Sequence, residues 1–129
     1  MAIGGRAVLI TGRSGSGKSD LALRLIDRGA RLVSDDYTIV KRIGGGLSAT
    51  APSPISGKIE VRGVGIVAME PSADVPVSLA VDLDRGAERM PEPDEVRVIA
   101  GIPVRVIALD GRESSAPMKV ELALKGIMP

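Results

Sequence analysis

The chain has 129 residues, of which 44% are hydrophobic, and its 17 basic and 16 acidic side chains leave a formal net charge of +1. This length favours a single domain spanning residues 1–129, with an aliphatic core because Tyr37 is the one aromatic residue. Balanced charge and scarce aromatic rings argue against nucleic acid as a partner, since nucleic acid is bound by basic patches and stacking side chains.

The residue types that are missing narrow the chemistry and the location. Cysteine and histidine are both absent, which excludes disulfides, thiolate metal sites and an imidazole base within this chain. Carboxylates, Lys, Arg and Ser remain to carry out any chemistry. The sequence shows neither a signal-peptide pattern nor a run of about 18 apolar residues, so we expect a cytoplasmic protein without a membrane partner.

The first predicted elements are a strand at residues 7–10 and a helix that follows Ser19 and ends before Gly29. The segment between them is G-R-S-G-S-G-K-S, which matches the G-x-x-x-x-G-K-S pattern of a loop that binds nucleoside triphosphates. A glycine-rich turn of another α/β protein is the alternative, but the order strand, loop, helix favours nucleotide binding. The predicted nucleotide-binding residues are Gly12, Arg13, Ser14, Gly15, Ser16, Gly17, Lys18 and Ser19.

Each residue type in this loop has a physical reason to be there. Glycines let the backbone turn tightly and point consecutive N–H groups at phosphate oxygens. Lys18 would bring a positive charge to the β- and γ-phosphates, and Ser19 would offer a hydroxyl ligand to the accompanying Mg²⁺. The helix that starts here adds the positive end of its dipole, so the sequence predicts a site for ATP with Mg²⁺.

Two adjacent acids, Asp35 and Asp36, follow a short segment with an apolar centre at residues 31–34. Open α/β sheets place their sites at the carboxyl ends of strands, and successive side chains of a strand point to opposite faces. We therefore expect different roles, with one acid accepting the proton of an attacking hydroxyl and the other holding the loop or the waters of the metal. Without the glycine-rich loop, the pair would be interpreted as a solvated turn.

The rest of the chain is predicted to be mostly strands. Expected strands lie at residues 37–40, 58–62, 65–69, 77–83, 96–100 and 103–109, with a hairpin around residues 44–46 and a closing helix at 116–125. A regular doubly wound sheet would need a helix between most strands. We therefore predict an α/β fold with a P-loop core whose mixed sheet is extended by antiparallel hairpins.

Charged side chains alternate along the predicted strand at residues 58–62, where Lys58, Glu60 and Arg62 share one face. Glu60 is a candidate Mg²⁺ ligand together with Ser19, and either cation could neutralise phosphate charge. An exposed edge strand kept soluble by charges would give the same pattern, and the spacing does not choose between these interpretations.

Three stretches together resemble HPr kinase/phosphorylase. They are the loop at residues 12–19, the segment L-A-L-R-L-I-D-R-G-A-R-L-V-S-D-D, and the segment I-E-V-R-G-V-G-I. The resemblance covers nearly the whole chain. It implies an enzyme that uses ATP to phosphorylate a serine of HPr, a small phosphocarrier protein of the phosphotransferase system. It also implies a homo-oligomer, often a hexamer, and a sheet resembling the nucleotide domain of phosphoenolpyruvate carboxykinase.

The resemblance also implies roles for individual residues. Asp36, with Asp35 beside it, would be the proton acceptor, Lys18 would stabilise the transferring phosphoryl group, and Ser19 with Glu60 would bind Mg²⁺. Arg89, in the context Glu-Arg-Met after the Val-Asp-Leu strand, would be the catalytic arginine. The chain matches a short form without the N-terminal domain and the catalytic histidine of the family.

Two questions stay open at the level of sequence. The basic segment that the family uses for phosphate removal is represented only by P-V-R at residues 103–105, so phosphorylase activity is undecided. An ATP-binding regulatory module with little catalysis, and a small-molecule kinase or simple NTPase, are the alternatives to an HPr kinase.

Overall fold

A computed structural model describes residues 1–86 and 95–127. Within these residues the strands are β1 (Ala2–Ile3), β2 (Arg6–Thr11), β3 (Ile39–Ile43), β4 (Gly46–Thr50), β5 (Lys58–Val61), β6 (Gly65–Ala68), β7 (Val75–Asp82), β8 (Val96–Ile99) and β9 (Ile102–Ala108). The helices are α1 (Lys18–Asp27) and α2 (Ala116–Ile127), with a 3₁₀ turn at Ser53–Ile55. Neither described helix is long and apolar enough to cross a membrane.

Seven of these strands form one mixed sheet. Its centre is parallel, because β7 pairs in parallel with β2 on one side and with β9. Antiparallel strands extend this centre: β1 pairs with β2, β8 with β9, and β4, which carries β3 as its hairpin partner, pairs with the start of β7. The remaining two strands, β5 and β6, form a separate antiparallel hairpin. The predicted α/β fold with a mixed sheet is confirmed.

The two helices cover one face of the parallel centre. Helix α1 buries Leu21, Ala22 and Leu25, which recur at helical spacing, and α2 contributes Val120 and Leu124 to the same core. Alternate residues of β2, β7 and β9 complete this core, which consists of aliphatic side chains as the composition predicts. Because β2, β7 and β9 run parallel, their carboxyl ends lie at one edge of the sheet.

The prediction of strand at residues 37–40 is wrong in its first half. Strand β3 begins at Ile39, because the chain bends at residues 35 and 36 and the Ser34 hydroxyl donates to the Tyr37 carbonyl. This local side-chain bond competes with a strand ladder, as serine often does. The segment before the bend makes only isolated bridges, from Arg31 to Ala2 and from Leu32 to Pro71.

Candidate functional site

The glycine-rich loop connects the end of β2 to the start of α1. Gly15 and Gly17 have φ angles of +85° and +98°, a left-handed conformation that other residues adopt only with strain. A Cβ at Gly12 would lie 2.5 Å from the Ser16 hydroxyl oxygen and 3.3 Å from Cβ of Leu83. The loop therefore folds tightly over the end of the sheet, and glycine is required for both reasons.

The first turn of α1 leaves polar groups available to a ligand. Gly17 is the N-cap residue and gives the helix no side-chain cap, so the N–H groups of the first turn have no partner within the helix. The Ser16 hydroxyl is buried and finds no hydrogen-bond partner in the described part of the chain. Lys18 folds back and donates to the Gly12 carbonyl. Unpaired donors beside a cation fit an anion such as a triphosphate.

A carboxylate from the neighbouring strand holds the loop in place. Asp84, two residues beyond the end of β7, accepts the backbone N–H of Arg13 at 3.0 and 3.2 Å, and the Arg13 Nε lies 3.3 Å from Oδ1. These bonds, the backbone bond first, hold the pKa of Asp84 below its ordinary value. The sequence analysis missed Asp84, although the apolar strand L-A-V-D-L-D that ends in acids was a usable signal.

An arginine also reaches this edge of the sheet. Arg97 of β8 lies 3.2 Å from the Thr11 hydroxyl and 3.2 Å from the carboxylate of Asp82, at the ends of β2 and β7. Asp82 in turn accepts the backbone N–H of Asp84 at 2.9 Å. Because this network joins the ends of both strands, it fixes the entry of the chain into the glycine-rich loop. Sequence reasoning did not identify Arg97 or Asp82.

A cavity of about 410 Å³ brings together residues predicted from two distant motifs. Gly12, Lys18 and Ser19 line it from the loop, and Asp35 and Asp36 line it from the bend before β3. The two acids differ in their surroundings: Asp35 is half-buried and accepts the backbone N–H of Glu60 at 2.9 Å, whereas Asp36 is exposed. The Asp36 carboxylate, which bonds no other described residue, thus shares a cavity with Lys18 of the loop.

The predicted Mg²⁺ ligands are only partly brought together. Ser19 lines the cavity, while Glu60 is an exposed residue of β5 whose backbone contacts Asp35. No group of three or more acids is arranged to hold a metal ion in the described residues. Lys58 points to the carbonyl of Pro54 at 3.5 Å. Arg89 lies outside the described residues, so its expected role stays a prediction.

The segment of residues 110–115, between β9 and α2, contacts the glycine-rich loop. The sequence analysis did not indicate this contact. The Arg112 guanidinium donates to the Gly15 carbonyl, and Arg24 of α1 donates to the carbonyls of Gly111 and Glu113, the latter at 2.7 Å. A Cβ at Gly111 would lie 2.9 Å from Leu83. Close packing and these bonds attach the segment to the loop and to α1.

Fold and loop together define a class, a mixed α/β domain with a glycine-rich loop between a central parallel strand and a helix. Residues 1–116 match the model of the HPr Serine kinase C-terminal domain, and the chain belongs to this family. It is similar to the solved structure of the Hpr(Ser) kinase/phosphatase from Coxiella burnetii, with 30% sequence identity and a TM-score of 0.80. That likeness covers 97% of this chain and 84% of the other.

Curated relatives agree with this assignment but are longer. The HPr kinase/phosphorylase of Clostridium tetani is 39% identical over 123 aligned residues, which cover 81% of this chain and 38% of the relative. That of Clostridium kluyveri (strain ATCC 8527) is 57% identical over 67 residues, covering 52% of this chain and 22% of the relative. The chain thus spans about a fifth to two fifths of these relatives.

Proposed function

We propose that residues 1–129 form a single P-loop kinase domain that transfers the γ-phosphoryl group of ATP to a serine of HPr. The observation that carries this proposal is the cavity in which Lys18 and Ser19 face Asp35 and Asp36. The names of the relatives and of the similar structure, which are HPr kinases, support HPr as the acceptor. The cytoplasmic location, the homo-oligomeric state with its hexamer, and the likeness to phosphoenolpyruvate carboxykinase stay predictions.

The nucleotide would be held by the loop residues 12–19. Backbone N–H groups at the start of α1 and the Ser16 hydroxyl would bond phosphate oxygens, and Lys18 would exchange the Gly12 carbonyl for the β- and γ-phosphates. Mg²⁺, when bound with ATP, neutralises phosphate charge, and Ser19 and Glu60 are the residues that would hold it. A hydroxyl and a carboxylate are oxygen ligands of the kind that this ion prefers.

The transfer itself needs a proton acceptor beside the attacking hydroxyl. In our proposal the serine oxygen bonds to the γ-phosphorus as the bond from that phosphorus to the bridging oxygen breaks, and ADP leaves. The serine proton passes to Asp36, whose exposed carboxylate shares the cavity with Lys18. Asp35, bonded to the Glu60 N–H, would position the bend that carries Asp36. Arg89 is proposed to offset the developing charge.

The test follows label from γ-labelled ATP to serine of HPr in the presence of Mg²⁺. We expect transfer by the wild type, and a rate lower by roughly 10²- to 10⁴-fold in Asp36→Asn with ATP binding retained. Asp27→Asn, an exposed acid at the end of α1, is the matched control and should transfer at the wild-type rate. ATP binding without label on HPr would instead favour the regulatory module. Hydrolysis of ATP, with labelled phosphate released into solution, would favour a simple NTPase.

The reverse activity has its own readout. Phosphorolysis would release pyrophosphate from serine-phosphorylated HPr and inorganic phosphate. The chain keeps only Pro103, Val104 and Arg105 of the basic segment that the resemblance connects with this step. In the structure Arg105 donates to the carbonyl of Val106 at 2.6 Å and thus lies along the sheet. Whether this domain catalyses phosphorolysis is decided by assaying pyrophosphate formation.

A further inference from the structure

The two sides of the glycine-rich loop have different neighbours. Its residues Gly12, Lys18 and Ser19 line the cavity that contains Asp35 and Asp36. Its residues Gly15 and Gly17 instead meet the segment of residues 110–115, none of which lines that cavity. A bound triphosphate is an extended chain of phosphates with a transferable end and a nucleoside end. If the transferable end faces the aspartates, the nucleoside end leaves the loop beside residues 110–115.

Arg112 is the cation on this second side of the loop. Its guanidinium donates to the Gly15 carbonyl, and its backbone N–H donates to the Asp110 carboxylate at 3.0 Å. A Cβ on Gly17 would lie 3.7 Å from Cγ of Arg112, so the side chain lies directly over the loop. The residue is exposed, and no carboxylate of the described residues forms an ion pair with it. A planar cation therefore remains open to a ligand.

The segment that carries Arg112 is firmly positioned. Arg24 bonds the carbonyls on both sides of Arg112, those of Gly111 and Glu113. Gly111 is buried against Leu83, with no room for a side chain. A guanidinium on such a segment loses less conformational entropy on binding than one on a free loop.

A nucleobase needs a flat partner, and this chain offers few. Tyr37 is the one aromatic residue, and it lies beside Asp36, at the transferable end of the site. Guanidinium groups also stack on aromatic faces, which ammonium groups cannot do. Arg13 is the other arginine of the loop region, but Asp84 already engages its Nε at 3.3 Å. Among the described residues, Arg112 is thus the planar group at the nucleoside end whose guanidinium bonds only the Gly15 carbonyl and no carboxylate.

We infer that Arg112 binds the nucleoside end of ATP, with its guanidinium stacked on the base while it keeps its bond to the Gly15 carbonyl. This inference rests on the proposed function, because it assumes that the loop binds ATP. It assigns to Arg112 a part in nucleotide selection that no motif of the sequence indicates.

The test compares two ligands that differ in the nucleoside. MgATP and magnesium tripolyphosphate are titrated calorimetrically into the wild type, Arg112→Ala and Arg112→Lys. We expect Arg112→Ala to weaken MgATP binding about tenfold, as a stacked cation contributes about one decade of affinity, and to change tripolyphosphate binding less than twofold. Arg112→Lys should not restore ATP binding, because an ammonium group keeps the positive charge but lacks the planar shape that stacks on a base.

The outcomes separate the inference from its premise. Equal weakening of both ligands, recovery in Arg112→Lys, or unchanged ATP binding in Arg112→Ala would each overturn the stacking role. A wild type that binds neither ligand would overturn nucleotide binding itself. Arg28→Ala is the matched control, since Arg28 directly follows the end of α1 and pairs with Glu121 away from the loop, and both affinities should stay at wild-type values. Circular-dichroism melting confirms that each variant is folded.

Discussion

Asp84 connects the end of β7 to the glycine-rich loop through the backbone N–H of Arg13. Its pKa lies below the ordinary value of 3.8 because that bond and the Arg13 side chain favour the charged form. A group with a lowered pKa in the folded state stabilises that state above its ordinary pKa. This stabilisation disappears as the pH falls through the lowered value.

We therefore predict that Asp84→Asn lowers the free energy of unfolding at pH 7 but has a smaller effect below pH 3.8. Urea denaturation of both proteins at pH 7 and at the lowest pH where each remains folded measures this difference. Asp74→Asn, which alters an acid outside the loop, is a suitable control for the general effect of removing a charge. An equal difference at both pH values would show that ionisation of Asp84 does not stabilise the loop.

Single residues also show which parts of the candidate site the sequence can indicate. Lys18, Ser19 and the acids at 35 and 36 were predicted because a contiguous motif or a strand end marks them, and the cavity brings them together. The structure does not test their chemical roles. Asp84 and Arg112 were missed because their importance depends on which distant backbone groups they meet, and spacing along the chain does not encode that.

At the scale of elements, the hairpin of β5 and β6 is attached to the core by one side. Ile59 is fully buried against the core, while Ile66 on β6 is 75% exposed. Glu60, which follows Ile59 on β5, donates its backbone N–H to the Asp35 carboxylate. Packing of Ile59 therefore fixes the hairpin and, through that bond, the bend with the two acids.

Replacing Ile59 by alanine should lower the free energy of unfolding by about 2–5 kcal/mol, because it removes buried methyl groups and leaves a cavity. Ile66→Ala, an identical chemical change on the exposed side, should alter it by about 0.5 kcal/mol or less. Chemical denaturation of both variants is the measurement. Similar values for the two would mean that the hairpin is not held by its buried side.

Elements with a strong hydrophobic period were predicted well, and those decided by local polar contacts were not. Helix α2 begins at Ala116 as expected, and the hairpin of β3 and β4 turns at Gly44, whose φ is +61°. The bend before β3 was predicted as strand because Tyr37 and Thr38 favour strands. The sequence could not reveal that β5 and β6 stand apart from the main sheet, since pairing of strands is a property of the whole fold.

For the whole molecule, a ligand that binds only the folded state must stabilise it. At MgATP concentrations of about a hundred times the dissociation constant, the free energy of unfolding should rise by about 2.7 kcal/mol. Differential scanning calorimetry would detect this as a higher Tm. Lys18→Ala should show a smaller rise, because the loop loses its cation, whereas Lys125→Ala at the end of α2 should match the wild type. No rise in the wild type would contradict nucleotide binding.

The contacts that shape the glycine-rich loop come from far along the chain. Arg13 is hydrogen-bonded to Asp84, which lies 71 residues later in the chain, and Gly15 is hydrogen-bonded to Arg112, which lies 97 residues later. During synthesis on the ribosome, residues 12–19 would emerge long before either partner. The loop therefore acquires its final surroundings only after residue 112 has left the exit tunnel, and nascent chains shorter than this should bind nucleotide weakly or not at all.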